Sequence, residues 1–154
     1  MELSDFIASN AVLVDLKVTS KKQLLTALSE DAGLTLGIES RDIFDTLLQR
    51  EKLGSTGIGD GVAIPHGKLR SIDAVFGLIA TLASPIEFDA PDDKPIDIVF
   101  VLLAPENAGA DHLKALARIA RFVKSETVLD QLRAARTKES VRTLIKDASQ
   151  LDAA

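Results

Sequence analysis

A histidine that follows glycines and a short apolar run can attack an electrophile attached to an anion. His66 stands in that position, at the end of Gly54-Ser-Thr-Gly-Ile-Gly-Asp-Gly-Val-Ala-Ile-Pro-His66-Gly-Lys68, and is one of 2 histidines in the chain. An imidazole with an ordinary pKa of about 6.5 is largely neutral near pH 7, so one ring nitrogen keeps a lone pair for nucleophilic work. Glycine at 54, 57, 59, 61 and 67 lets backbone amides approach a ligand without a Cβ in the way. With Arg50, Lys52, Lys68 and Arg70 close in sequence, the anion considered first is phosphate. On this reading Ser55, Thr56 and Gly67 are the candidate phosphate-binding residues, although hydroxyls of this kind serve turns and caps as often.

Three further residues could join His66. His112 falls in the first turn of an expected helix, where unpaired amides and the dipole attract anions. Alone it is an ordinary first-turn residue; beside His66 it could donate a proton to a phosphoryl oxygen or orient the nucleophile. Arg50 could offer paired donors to phosphate oxygens, or could interact with the carbonyls at the end of its own helix. Asp60 could accept an imidazole N–H and fix the tautomer, or could be a turn aspartate between two glycines.

Competing chemistries fail on spacing. A Walker A loop needs glycine where Val62 stands and a hydroxyl residue where Leu69 stands. Gly57-Ile-Gly59 followed by Val62 breaks the dinucleotide-binding pattern. There is no Gly-x-Ser-x-Gly elbow and no His-Glu-x-x-His, and 2 histidines without cysteine make a poor zinc site. No metal and no cofactor is expected.

The elements that must hold these residues can be read from the apolar pattern. Val12-Leu13-Val14 is a short β-prone run. Ser20 and Gln23 have capping-box spacing ahead of Leu24, Leu25 and Leu28, a helix expected to end near Gly33. Ser40 opens a second helix with Ile43, Phe44, Leu47 and Leu48 on one side and Arg50 and Lys52 in its last turn. Val62-Ala63-Ile64 is a short strand ended by Pro65, with His66 immediately beyond. Two apolar runs, 74–82 and 96–104, read as central strands covered on both faces, joined by an exposed stretch rich in proline and aspartate. Asp111 is the expected N-cap of a helix whose buried stripe is Leu113, Leu116, Ala117, Ala120 and Val123. Helices over 126–135 and 138–148 follow, capped by Ser125 and Thr137, before a frayed tail from Gln150. The order β-αα-β-β-β-ααα predicts an α/β fold, a three-layer α/β/α sandwich in a single domain over 1–154.

Composition removes several classes. A net charge of −5 with no basic stripe argues against a nucleic-acid partner. No apolar run reaches the roughly 20 residues of a membrane span, and Met1-Glu-Leu-Ser-Asp does not start like a signal peptide. The absence of cysteine fits a reducing cytoplasm. Without tryptophan or tyrosine, a stacking platform for sugars or bases is not expected.

The stretch Leu48-Gln-Arg-Glu-Lys-Leu-Gly-Ser-Thr-Gly-Ile-Gly-Asp-Gly-Val-Ala-Ile-Pro-His-Gly-Lys68 closely resembles the active-site signature of phosphotransferase-system IIA domains of the fructose/mannitol type. Asp111-His-Leu-Lys-Ala-Leu-Ala-Arg-Ile-Ala120 resembles that family's second histidine segment. The likeness covers essentially the whole chain, and within the family it is greatest to the nitrogen-related regulatory branch. The resemblance implies a mixed sheet between helical layers and a phosphoryl relay. In that relay His66 accepts a phosphoryl group, through Nε2, from a small HPr-like phosphocarrier. His112 and Arg50 steady the transferring group, and Asp60 falls at the position of an acidic active-site residue in mannitol-type relatives. It further implies regulated partners among transporters, kinases and regulators. The alternative within the family is a sugar-specific IIA component serving a IIB subunit. Outside it, the alternative is an interaction module whose His66 is never phosphorylated.

Overall fold

The computed structural model describes residues 1–153, with side chains through Ala148. Its elements run α1 (Leu3–Phe6), β1 (Ile7–Leu16), α2 (Lys21–Leu36), α3 (Ser40–Lys52), β2 (Gly57–Gly59), β3 (Val62–Ala63), β4 (His66–Leu69), β5 (Phe76–Ile86), β6 (Ile96–Pro105), α4 (Ala110–Phe122), α5 (Glu126–Ala134) and α6 (Lys138–Ala153). The sheet is ordered β1-β5-β6-β3-β2, with β4 also paired to β6. β1 lies parallel to β5, β5 antiparallel to β6, and β3 and β4 parallel to β6, so the sheet is mixed.

Both faces of this sheet are covered, as the unbroken apolar runs of β5 and β6 require. Leu78, Ala80, Val99, Val101 and Leu103 face α2 and α3, where Leu24, Leu25, Leu28, Ile43 and Leu47 are fully buried. Ile79, Ile98, Phe100 and Leu102 face the other way, onto Ala115, Ile119, Leu129, Leu132, Val141 and Ile145 from α4, α5 and α6. The three-layer sandwich expected from the sequence is the observed fold, with α1, β2 and β4 as additions.

The caps follow the expected chemistry. Ser20 accepts from Gln23 N–H at 3.2 Å, Ser125 from Val128 N–H at 3.2 Å, and Thr137 from Ser140 N–H at 3.1 Å. Two boundaries differ. α2 continues past Gly33 to Leu36 and ends at Gly37, whose φ of 70° is the left-handed conformation of a helix stop. Gly33 instead lies where a Cβ would sit 2.9 Å from Ile38 O, so its bare Cα lets the α2–α3 connection fold back onto the helix. α4 is capped by Gly109, not Asp111, and its buried line is Ala115, Ile119 and Val123. Leu113, placed in the buried stripe by periodicity, is 67% exposed. α6 extends helical backbone to Ala153, past the Gln150 at which fraying was expected; Ala154 lies outside the described residues.

Candidate functional site: two histidines at the end of a broken edge

His66 sits on a strand. β3 pairs Val62 with Ile98 and β4 pairs His66 with Leu102, so four residues advance on each side and the register survives the interruption. Pro65 lacks an N–H, which breaks the ladder locally, but its carbonyl still accepts from Leu102 N–H at 3.0 Å. Beyond the proline the pairing resumes and fixes the His66 backbone against a central strand. Sequence reasoning placed His66 just after a strand because Gly67 and Lys68 carry little β signal.

The imidazole is held by one short bond: His66 Nδ1 lies 2.7 Å from Ile64 O. A carbonyl can only accept, so Nδ1 carries the hydrogen, and in the neutral ring Nε2 keeps the lone pair. The His112 ring lies with its centroid 5.7 Å from that of His66, at an interplanar angle of 52°. His112 is the third residue of α4, and α4 packs on β6, the strand that carries β4. Its Nδ1 is buried with no hydrogen-bond partner among the described residues. Burial, and then the charges of His66 and Lys68, hold the His112 pKa below the ordinary histidine value. A neutral ring with its lone pair on the orphaned Nδ1 avoids burying an unsatisfied N–H, and it leaves Nε2–H as the donor. One imidazole with a free lone pair thus stands beside another that can donate.

Lys68 belongs to this group, although the sequence offered it only as a neighbouring cation. Alternation along β4 puts residues 66 and 68 on one face, and the effect of Lys68 on His112 brings its charge to the pair. The opposite face of β4 meets α3 at Gly67. A Cβ there would lie 2.4 Å from Thr46 Cγ2, so Gly67 serves close packing of the strand on α3. Arg50 is one turn beyond Thr46 on the same helical face, and its Nη1 donates to Gly54 O at 2.9 Å.

The other candidates have partners elsewhere in the fold. The Ser55 hydroxyl donates to Phe88 O at 2.9 Å and also accepts from Gly57 N–H at 3.1 Å. Thr56 is buried, with its hydroxyl donating to Glu51 and its N–H donating to Glu51 Oε2 at 3.2 Å. Glu51, only 7% exposed, pairs with Lys21 at 2.8 Å. These hydroxyls fasten the loop after α3 to the body of the protein and are not presented to an anion. Asp60 adopts φ 57° in the β2–β3 turn, donates its N–H to Asp92 Oδ2 at 3.0 Å, and its backbone carbonyl accepts from Arg133 Nη2 at 2.5 Å. The N–H groups of Asp60 and Lys94 hold the Asp92 carboxyl below the usual carboxylate range. From the pairing of Val62 with Ile98 and His66 with Leu102, Asp60 lies more than about 13 Å from His66 along the strand. The structure brings His66 and His112 together and leaves Asp60 at the other end of the edge; Ile64 O, a backbone group no side-chain motif reveals, fixes the tautomer instead.

The chain is thus an α/β/α domain with a mixed sheet and two imidazoles paired at the end of its broken edge. Residues 5–148 match the family model for the phosphoenolpyruvate-dependent sugar phosphotransferase system, EIIA 2, and the chain belongs to that family. It is 50% identical over 145 residues to a nitrogen regulatory protein of Bradyrhizobium diazoefficiens, covering 94% of this chain and 95% of the relative. It is 38% identical over 149 residues to a nitrogen regulatory protein of Escherichia coli, covering 96% and 91% of the two chains. The crystal structure of the nitrogen regulatory protein IIA-Ntr from Neisseria meningitidis superposes with a TM-score of 0.87 at 34% identity, covering 93% of this chain and 98% of that one. The function the family carries is EIIA-type phosphoryl relay. No helix among the described residues is long and apolar enough to cross a membrane.

Proposed function

We propose that the chain is a phosphoryl-accepting regulatory component of a nitrogen-type phosphotransferase branch, with His66 Nε2 as the acceptor. The observation that carries this reading is the 2.7 Å bond from His66 Nδ1 to Ile64 O, which leaves Nε2 with its lone pair beside a second imidazole. Nε2 attacks the phosphorus of a phosphohistidine on an HPr-like carrier. The new P–N bond forms as the carrier's P–N bond breaks, and the electron pair returns to the carrier imidazole. The His66 ring gains positive charge as it bonds, and Ile64 O stabilises that charge through Nδ1–H. His112 Nε2–H, Lys68 and Arg50 donate to the phosphoryl oxygens; transfer of this kind depends on positioning and charge stabilisation. Leu113, exposed beside His112, gives an apolar edge against which a carrier can seat.

Regulation then follows from charge. A phosphohistidine adds roughly one and a half to two negative charges to the surface where partners bind, and transporters, kinases and regulators are the partner classes expected to read it. The nitrogen branch is supported by relatives named nitrogen regulatory protein that align over nearly their full length. A sugar-specific role has one observation in its favour: 36% identity over 126 residues to a fructose-specific EIIA component of Haloferax volcanii. Incubation of the chain with phosphorylated carrier, beside His66→Ala, tests the acceptor. Labelling of the parent alone supports the reading, and equal labelling of both ends it. Subsequent transfer to a IIB protein with sugar phosphorylation would favour the sugar-specific role.

A further inference from the structure

The β1 edge of the sheet is bowed open. Ile7 pairs with Gly77 and Val12 with Ile79, so β1 advances five residues while β5 advances two. The surplus chain bulges away from its partner and leaves Ala8, Ser9 and Asn10 exposed. α6 packs over this strand, and between them lies a cleft of about 290 Å³. Its floor is apolar: Ile7, Val12 and Ile145 are each 5% exposed or less. Its mouth is cationic. Lys138, Arg142 and Lys146 stand four residues apart and form one stripe along α6, and the last two line the cleft. Arg142 Nε donates to Ser9 O, which fixes the guanidinium at the rim. Among the described residues neither Arg142 nor Lys146 has a carboxylate partner, whereas Arg70, Arg118, Arg133 and Arg136 each have one. An unpaired surface cation is ordinary. Two of them over a buried apolar floor, in a chain of net charge −5, make a recognition pattern.

We propose that this cleft binds a short aliphatic carboxylate, with its chain against Ile7, Val12 and Ile145 and its charged end between Arg142 and Lys146. A guanidinium whose Nε is engaged still presents its two terminal nitrogens, and a carboxylate accepts from such a planar pair. The apolar floor selects against a compact hydrophilic anion such as free phosphate, which would leave that floor wet. At roughly 30 Å³ for each water-sized group in a liquid, the cleft holds on the order of ten non-hydrogen atoms, the size of an acid of about eight carbons. A second copy of the chain fits poorly. Pairing β1 with its own copy about a two-fold axis sets the two α6 stripes side by side, and like charges repel. The site is separate from the phosphoryl centre, because β5 and β6 lie between β1 and the strand that carries His66.

The test is an NMR titration of the full chain with sodium octanoate, read at the backbone amides. Those of Ala8, Ser9, Val12, Arg142, Ile145 and Lys146 are expected to shift together and to saturate, with half-saturation at or below about 1 mM, the scale for a ligand of about ten atoms. Octylammonium, with the same chain and the opposite charge, should bind at least about tenfold more weakly. Arg142→Gln combined with Lys146→Gln should weaken octanoate by about tenfold or more, the scale of a lost hydrogen bond to a charged group. Ala8→Leu, which fills the cleft from its exposed wall, should abolish the response while resonances elsewhere stay in place. Equal responses to octanoate and octylammonium, shifts that never saturate, or undiminished affinity in the double variant would overturn the site. Shifts of the same amides with a glutamate-rich peptide and none with octanoate would make this edge a peptide-docking strand and overturn the proposal as well.

Discussion

Adding one methyl group to the residue after His66 should displace the site, and a second substitution on α3 should bring it back. In Gly67→Ala the new Cβ would sit 2.4 Å from Thr46 Cγ2, with Thr46 Cβ at 3.8 Å. Thr46 cannot turn its methyl away freely, because its hydroxyl donates to Asp42 O at 2.9 Å. Overpacking of this kind costs about 1–3 kcal/mol. The backbone at Gly67 is not in the left-handed region, so alanine should recover about 0.4–1 kcal/mol through the unfolded chain. The net loss should be about 1–2 kcal/mol, read by urea unfolding. Thr46→Ser keeps the hydroxyl bond and removes the obstructing methyl, at a cost of about 0.5 kcal/mol for a half-buried group. The double variant should then be more stable than the two single losses predict by about 1 kcal/mol. Phosphorylation kinetics should follow the same cycle, because movement of β4 carries His66 away from His112. A displacement near 1 Å can cost on the order of a hundredfold in rate. Additive losses within about 0.3 kcal/mol would refute the claim that contact with Thr46 positions the strand.

Other consequences are as direct. Lys68→Gln should leave stability unchanged, raise the His112 pKa by removing a like charge, and slow phosphorylation of His66; proton NMR titration and a labelling time course report the two effects. Because folding lowers the His112 pKa, the unfolded chain takes up its proton first as pH falls. The stability this group contributes is present above about pH 6.5 and is lost on acidification through the folded pKa; His112→Gln should flatten that part of the stability–pH curve. A phosphoryl group on His66 should reverse the His112 shift, since an adjacent anion favours the imidazolium. Lys21→Met would leave the Glu51 carboxylate buried without its cation and should cost about 2–3 kcal/mol in urea unfolding. A loss near zero there would mean that Glu51 is fully satisfied by Thr56.

The parts of the fold that rest on long apolar patterns were legible before the structure. β5 and β6 are apolar throughout because both faces are covered, and the Leu24, Leu25, Leu28, Ile43 and Leu47 positions of α2 and α3 are fully buried as their spacing predicts. Ser20, Ser125 and Thr137 cap as expected because capping is a local bond. β2 and β4 escaped because Gly57-Ile-Gly59 and His66-Gly-Lys-Leu69 owe their extended state to pairing with neighbours and not to their own preferences. The α4 stripe is only partly legible for a related reason: Leu116 and Val123 do pack on the core, but Leu113 is apolar and exposed. At the site, the proximity of His66 and His112 depends on α4 packing over β6, which spacing alone does not encode. Ser55 and Thr56 have hydroxyls suited to an anion, but in the folded chain Phe88 O and Glu51 engage them, and Asp60, a candidate partner for an imidazole N–H, is held through its backbone by Asp92 and Arg133 in the β2–β3 turn.

The atom that receives the phosphoryl group decides between these chemistries. Phosphorylation of the purified chain by its HPr-like carrier, followed by nitrogen-15 NMR of the histidine rings, reads that atom directly. The predicted result is phosphate on His66 Nε2 with Nδ1 still protonated and bonded to Ile64 O, and no label in His66→Ala. Phosphate on His66 Nδ1, on His112, or undiminished labelling of His66→Ala would contradict it.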